Sequence, residues 1–332
     1  MSELPQDALC EGVLKGNRRS LARAITLVES TRPDHRAQAI AILEQLAPHA
    51  GNALRIGISG SPGVGKSTFI EALGNLIIDG DHRVAVLSVD PSSAINGGSI
   101  LGDKTRMEEL GRRREAYIRP SPSGNTLGGV TRRTREAMLL CEAAGFDLII
   151  VETVGVGQSE TRVAEMTDMF LLLLLPSGGD ELQGIKRGIM ELADLIVVNK
   201  ADGDLAGAAG RTRAEYRNAL RLLHPRTAKW TVPVVTCSSL DGRGIPEVWE
   251  QIERYRETLT ASGELSTRRK AQARSWMWSE TTDSLISALC RDPAAQRLIP
   301  ELENAVSEGR LPPTVSAQRL LEAFLRRRDD AS

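Results

Sequence analysis

Gly60-Ser61-Pro62-Gly63-Val64-Gly65-Lys66-Ser67 matches the pattern GxxxxGK[ST], and Thr68 continues it. Glycines at these intervals let successive backbone N–H groups curl around phosphate oxygens, and a helix starting at the lysine adds the positive end of its dipole. In that geometry Lys66 pairs with the β- and γ-phosphates of a nucleoside triphosphate, and the Ser67 hydroxyl reaches Mg²⁺. The pattern needs a strand before it and a helix after it. Leu54 to Ser59 and the amphipathic run Thr68 to Ile78 supply both.

Base choice has a separate signature. Asn199-Lys200-Ala201-Asp202 directly follows the apolar run Leu195 to Val198, which is the NKxD arrangement. A carboxylate at Asp202 can accept from guanine N1–H and from its exocyclic amine, a donor pair that adenine lacks. GTP and GDP are therefore the expected ligands, with Mg²⁺. Ser238-Ser239-Leu240 after the next apolar run fits a further guanine-contacting loop more loosely, and an ordinary turn remains the alternative. Glu152-Thr153-Val154-Gly155 stands where related sites carry DxxG, so Glu152 is a candidate Mg²⁺ carboxylate. Asp90, in Asp90-Pro91-Ser92-Ser93, and Asp103, in a glycine-rich polar stretch, are further candidates for Mg²⁺ or water, or else turn and cap residues. Catalysis is expected to rest on Lys66, Asp90 and Glu152. Gln158, Glu160 and Asp90 remain open as the group that orients the attacking water.

These residues must be held at the carboxyl ends of parallel strands, where ligands of open α/β sheets bind. From Leu54 onward, short apolar runs alternate with helical stretches, the βαβ signature. The expected strands are Leu54 to Ser59, Val84 to Val89, Asp147 to Glu152, Met169 to Leu175, Leu195 to Asn199 and Pro233 to Cys237. Before them, residues 1–52 read as helices, with apolar stripes Leu21, Ile25, Val28 and Ile40, Leu43, Ala47. Residues 53–256 form the expected α/β P-loop domain with a mostly parallel sheet, and 257–332 a helical arm. Trp276 and Trp278 cannot share one helix face, so one is expected inside the arm and the other against another surface.

The chain has 332 residues, 42 basic and 43 acidic side chains, 41% hydrophobic residues and 3% aromatics. That balance fits a globular protein and lacks the basic surface and stacking platforms of a nucleic-acid binder. The longest apolar run, Phe170 to Leu175, is far too short for a membrane helix. The first residues lack the features of a secretory signal, so a cytoplasmic location is expected. Cys10, Cys141, Cys237 and Cys290 are scattered, as are the four histidines, which favours reduced thiols over disulfides or a zinc site.

The blocks SPGVGKST, VDPSS, GGSILGDKTRM, RPSPSGNTLGG, ETVGVGQSE, GDELQGIKRG and VNKAD together resemble the MeaB-type GTPases over roughly residues 15–280. The resemblance implies a G-protein chaperone that loads, protects or reactivates the cofactor of an adenosylcobalamin-dependent acyl-CoA mutase under GTP control. It also implies a homodimer formed through the C-terminal arm, and it admits a cobalamin adenosyltransferase as a second partner. By the same resemblance Ser67, Asp90, Asp103 and Glu152 surround Mg²⁺, and the loop from Ser177 to Ile185 faces the mutase. Gly178 and Gly179 give this loop freedom to rearrange, and Asp180, Gln183 and Lys186 are its candidate partner-switch residues. Two other readings use the same P-loop. A nickel or cobalt metallochaperone GTPase should carry a Cys- or His-rich segment, and a kinase has no need of NKAD.

Overall fold

The computed structural model describes residues 5–89, 107–120, 127–153, 159–176, 187–222, 226–227 and 229–329. The chain divides into two units, residues 1–269 and 270–332.

The first unit is built on seven parallel strands in the order β3-β2-β4-β1-β5-β6-β7. They are β1 (Leu54–Gly60), β2 (Val84–Val89), β3 (Ala116–Arg119), β4 (Leu148–Thr153), β5 (Met169–Leu174), β6 (Leu195–Val198) and β7 (Val234–Thr236). The central strands are apolar almost throughout because helices cover both faces. Alternate residues of one strand feed opposite cores. Leu171 and Leu173 of β5 and Leu195 and Val197 of β6 join Ile56, Ile58, Phe69, Leu73 and Tyr255 on one face. Leu172, Leu174, Ile196 and Val198 join Tyr216 on the other. After β1 the chain moves toward β2, and after β5 it moves toward β6 on the opposite side, so a topological switch point lies between these neighbouring strands.

Among the described residues, the α-helices of this unit are α1 (Gln6–Leu14), α2 (Arg18–Glu29), α3 (Pro33–Leu46), α4 (Lys66–Asp79), α5 (Glu108–Arg112), α6 (Leu127–Ala143), α7 (Ser159–Met166), α8 (Arg187–Met190), α9 (Ala206–Leu220) and α10 (Ile245–Ala261). Asn17 caps α2 by accepting from the N–H groups of Arg19 and Ser20. The α2 stripe Leu21, Ile25, Val28 is buried as expected. In α3 the expected stripe is one position out: Ile40 is 52% exposed, and the buried face is Ala39, Ile42 and Leu46. Helices α2 and α3 lie on α6. The Arg132 side of α6 is half-buried, and Glu136 there takes both Arg132 and Arg36 of α3. Strand β3 escapes the sequence patterns, because four residues beside Arg112-Arg113-Arg114-Glu115 carry too little alternation to register.

Helix α11 (Glu264–Arg291) begins in the first unit and ends in the second, which also holds α12 (Pro293–Ser307) and α13 (Pro313–Asp329). Asp292 caps α12 through the N–H groups of Ala294 and Ala295, and α12 packs against α13. Trp278 is 62% exposed and Trp276 half-buried.

Candidate functional site

Strand β1 ends at Gly60, where a Cβ would stand 2.5 Å from the Leu173 carbonyl oxygen of β5, so only glycine lets these backbones approach. Beyond it the chain turns through Ser61, Pro62 and Gly63, buries Val64, and enters α4 through Gly65 at φ +89°, a conformation that disfavours side chains. No side chain caps the first turn of α4. Its leading N–H groups therefore form an anion cradle at a helix start. Lys66 donates from Nζ to the Gly60 oxygen at 2.7 Å and the Ser61 oxygen at 3.3 Å. Burial pulls the Lys66 pKa down, and Glu152 and Glu160 oppose that pull. Ser67 Oγ donates to Glu152 Oε1 at 3.4 Å, and Thr68 is exposed beside it.

Glu152 sits near the end of β4 and is buried. The next residue, Thr153, donates from Oγ1 to Ser59 Oγ at 2.9 Å, and Ser59 Oγ donates to Glu160 Oε1 on α7 at 3.4 Å. Ser59 and Thr153 were not among the expected site residues. Ser59, a polar residue ending an apolar run just before the phosphate loop, is the signal that could have found them.

On the other side of the cradle, β6 ends at Asn199-Lys200-Ala201-Asp202. Asn199 is buried and donates from Nδ2 to the Val64 oxygen at 2.9 Å, tying the base segment to the phosphate loop. A Cβ on Gly65 would meet Asn199 Nδ2 at 3.0 Å and Lys200 Cε at 3.9 Å, so the two motifs are in contact. Lys200 takes φ +57°, unusual for a residue with a side chain. Asp202 Oδ2 accepts from Ser238 Oγ at 2.7 Å, which fixes its carboxylate beside the loop after β7. Ser239 donates from both N and Oγ to Asn199 Oδ1, and Leu240 projects outward, 81% exposed. Phosphate cradle, Glu152, NKAD and Ser238 to Leu240 thus converge at the carboxyl ends of β1, β4, β6 and β7. The expected residues Asp90, Asp103, Gly178, Gly179, Asp180, Gln183 and Lys186 lie outside the described residues, as does Gln158.

The profile of the methylmalonyl-CoA mutase-associated GTPase MeaB family matches residues 21–294. The chain belongs to this family. A putative GTPase of Caulobacter vibrioides is 58% identical over 96% of this chain and 97% of its own length. The mouse methylmalonic aciduria type A homolog, a mitochondrial protein, is 50% identical over 96% of this chain and 79% of its own. Among solved structures, that of an LAO/AO transport system kinase superposes with a TM-score of 0.76 at 41% identity, covering 97% of this chain and 98% of the other. As a MeaB-family protein with a P-loop GTPase fold, the chain is a GTPase that binds guanine nucleotide and hydrolyses GTP.

Proposed function

We propose that this GTPase serves as a nucleotide-gated chaperone of an adenosylcobalamin-dependent acyl-CoA mutase, methylmalonyl-CoA mutase or a near relative, and governs loading and protection of the mutase's cofactor. The observation that carries the reading is the match of residues 21–294 to a family described as associated with methylmalonyl-CoA mutase, together with the kinship to the methylmalonic aciduria type A homolog. In this reading the α4 N–H groups and Lys66 hold the phosphates, while Asp202 reads the guanine edge. The Ser67 hydroxyl and the Glu152 carboxylate, 3.4 Å apart, are the hard oxygen donors that Mg²⁺ takes, with Asp90 and Asp103 as their expected companions. When bound, that ion neutralises charge on the β- and γ-phosphates. Lys66 would stabilise charge that grows on the transferring phosphoryl oxygens.

The loop carrying Gly178, Gly179, Asp180, Gln183 and Lys186 is the proposed mutase-facing switch. It follows β5, whose partner in the sheet is the strand that leads into the phosphate cradle. The homodimer belongs to the same proposal, supported by exposed Met277, Trp278, Leu285 and Ile286 on α11 and Leu321 and Leu325 on α13. A cobalamin adenosyltransferase is proposed as the source of the loaded cofactor. Capture of the full chain from its host in the presence of a GTP analogue, with mass identification, tests the partner. Recovery of an acyl-CoA mutase is expected, and its consistent absence under both GTP and GDP conditions would contradict the reading. Light scattering of the purified chain tests the dimer.

A further inference from the structure

Asn199 is the joint between the phosphate loop and the base loops, and its side chain has more donors than it needs. Its Nδ2 must be the atom facing Val64, since a carbonyl there can only accept, so Oδ1 faces the loop after β7. That oxygen has two lone pairs. Three donors approach it: Ser239 Oγ at 2.7 Å, Ser239 N at 3.1 Å and Cys237 Sγ at 3.5 Å. Burial pushes the Cys237 thiol up to about 12, so it stays protonated as a weak donor. All three residues are buried. The hydroxyl and the amide of one residue therefore do the same work on one acceptor, and the amide makes the longer bond.

The neighbouring contact shows where the surplus amide can be used. Ser238 Oγ holds Asp202 Oδ2 at 2.7 Å, and Ser239 is the next residue. A fixed carboxylate beside a transferable backbone N–H complements an edge that offers N1–H and an amine next to an exocyclic oxygen. Guanine presents that edge, and adenine carries an amine where guanine has the oxygen. We propose that the Ser239 hydroxyl is a positioning group for base recognition: it keeps Asn199 Oδ1 satisfied while the Ser239 N–H moves from that oxygen to guanine O6. Without the hydroxyl, giving the N–H to the base leaves Asn199 Oδ1 with only the Cys237 thiol, and the bond from Asn199 to the phosphate loop loosens as the base is read.

The inference rests on guanine reading by Asp202 and is tested separately from it. GTP and 6-thio-GTP share N1–H and the amine, but the thio analogue replaces O6 with a poor acceptor. Their dissociation constants are measured for the full-length wild type, Ser239→Ala and Ser239→Thr. In Ser239→Ala, GTP should bind about tenfold more weakly, the size expected when a buried acceptor loses its strong donor, while 6-thio-GTP should change by less than about twofold. Ser239→Thr, which keeps an Oγ, should retain the wild-type preference. The nucleotide-free Ala variant should melt close to wild type, because the amide and thiol still reach Asn199. Equal losses for the two nucleotides in Ser239→Ala, or no loss for either, overturn the proposal, as does a Thr variant that behaves like Ala. A wild type that binds GTP and 6-thio-GTP alike removes the O6 contact itself, whereas unchanged GTP affinity in Asp202→Asn marks failure of the underlying base reading.

Discussion

Lys66 donates to the carbonyls of Gly60 and Ser61 while it is largely removed from water, and burial lowers its pKa. Below the folded-state value the buried ammonium costs stability, and that cost fades as pH rises toward the unfolded value. Phosphate binding depends on that same ammonium: affinity for GDP is expected to fall as pH rises through the lowered Lys66 value, below the pH at which a solvent lysine titrates. Titration from about pH 7 to about pH 10 should show this slope in wild type and a flatter one in Lys66→Ala. A slope that survives unchanged in Lys66→Ala assigns the titration to another group. Asp202→Asn should weaken GTP by about 2–3 kcal/mol and improve XTP, because xanthine offers a carbonyl where guanine has its amine. Competition binding checks it, and equal GTP affinity in the variant contradicts the assignment. The motifs that hold Lys66 and Asp202 were legible in the sequence because each lies within a few consecutive residues. The bonds from Ser239 to Asn199 and from Thr153 to Ser59 were not, since they join residues 40 and 94 positions apart and depend on strand register.

At the level of elements, the strands bounding the site were legible from their apolar runs, and most ends fell within a residue of those expected. What local pattern could not show was the edge strand β3 and the phase of α3, where Ile40 faces outward although it looks like a core residue. Helix phase follows from the surface packed against, here α6, which lies far along the chain. The junction of β7 with α10 supplies a sharper test. Gly244 has φ +78°, and a Cβ there would come within 2.4 Å of the Thr236 oxygen, whereas Gly242 at φ +73° has open space. Gly244→Ala should therefore cost about 2–4 kcal/mol, combining backbone strain with overpacking, and Gly242→Ala about 1–2 kcal/mol from strain alone. Urea unfolding of both variants measures the difference. Equal costs would mean that the junction relaxes freely. Because the Ser238 N–H donates to the Arg243 oxygen beside this glycine, Gly244→Ala should also weaken GTP binding.

Across the whole molecule, the end of the sheet remote from the nucleotide motifs is fastened by a buried ionic cluster that no sequence pattern announced. Arg269 grips both carboxylate oxygens of Asp168 and also donates to the Gly51 and Ala53 carbonyls, so the start of α11 is tied to the entries of β1 and β5. Arg268 reaches the Asp168 oxygen, Asp194 and the Tyr255 hydroxyl. Asp168 is fully buried, so Arg269→Ala should strand a buried carboxylate and cost about 3–5 kcal/mol, read by chemical denaturation. A cost under about 1 kcal/mol would make the pair a surface-like contact. The two units share one continuous helix, α11, and the proposed mutase-facing loop follows the strand that this cluster anchors at its other end. The proposed function requires that GTP turnover by this chain respond to a mutase. The most direct measurement is GTP turnover by the full chain at saturating GTP, with and without purified adenosylcobalamin-dependent methylmalonyl-CoA mutase from the same host. An acceleration of about tenfold or more is expected, because a docked partner can order groups that complete a GTPase site. Turnover that stays the same at mutase concentrations giving demonstrable complex formation would contradict it.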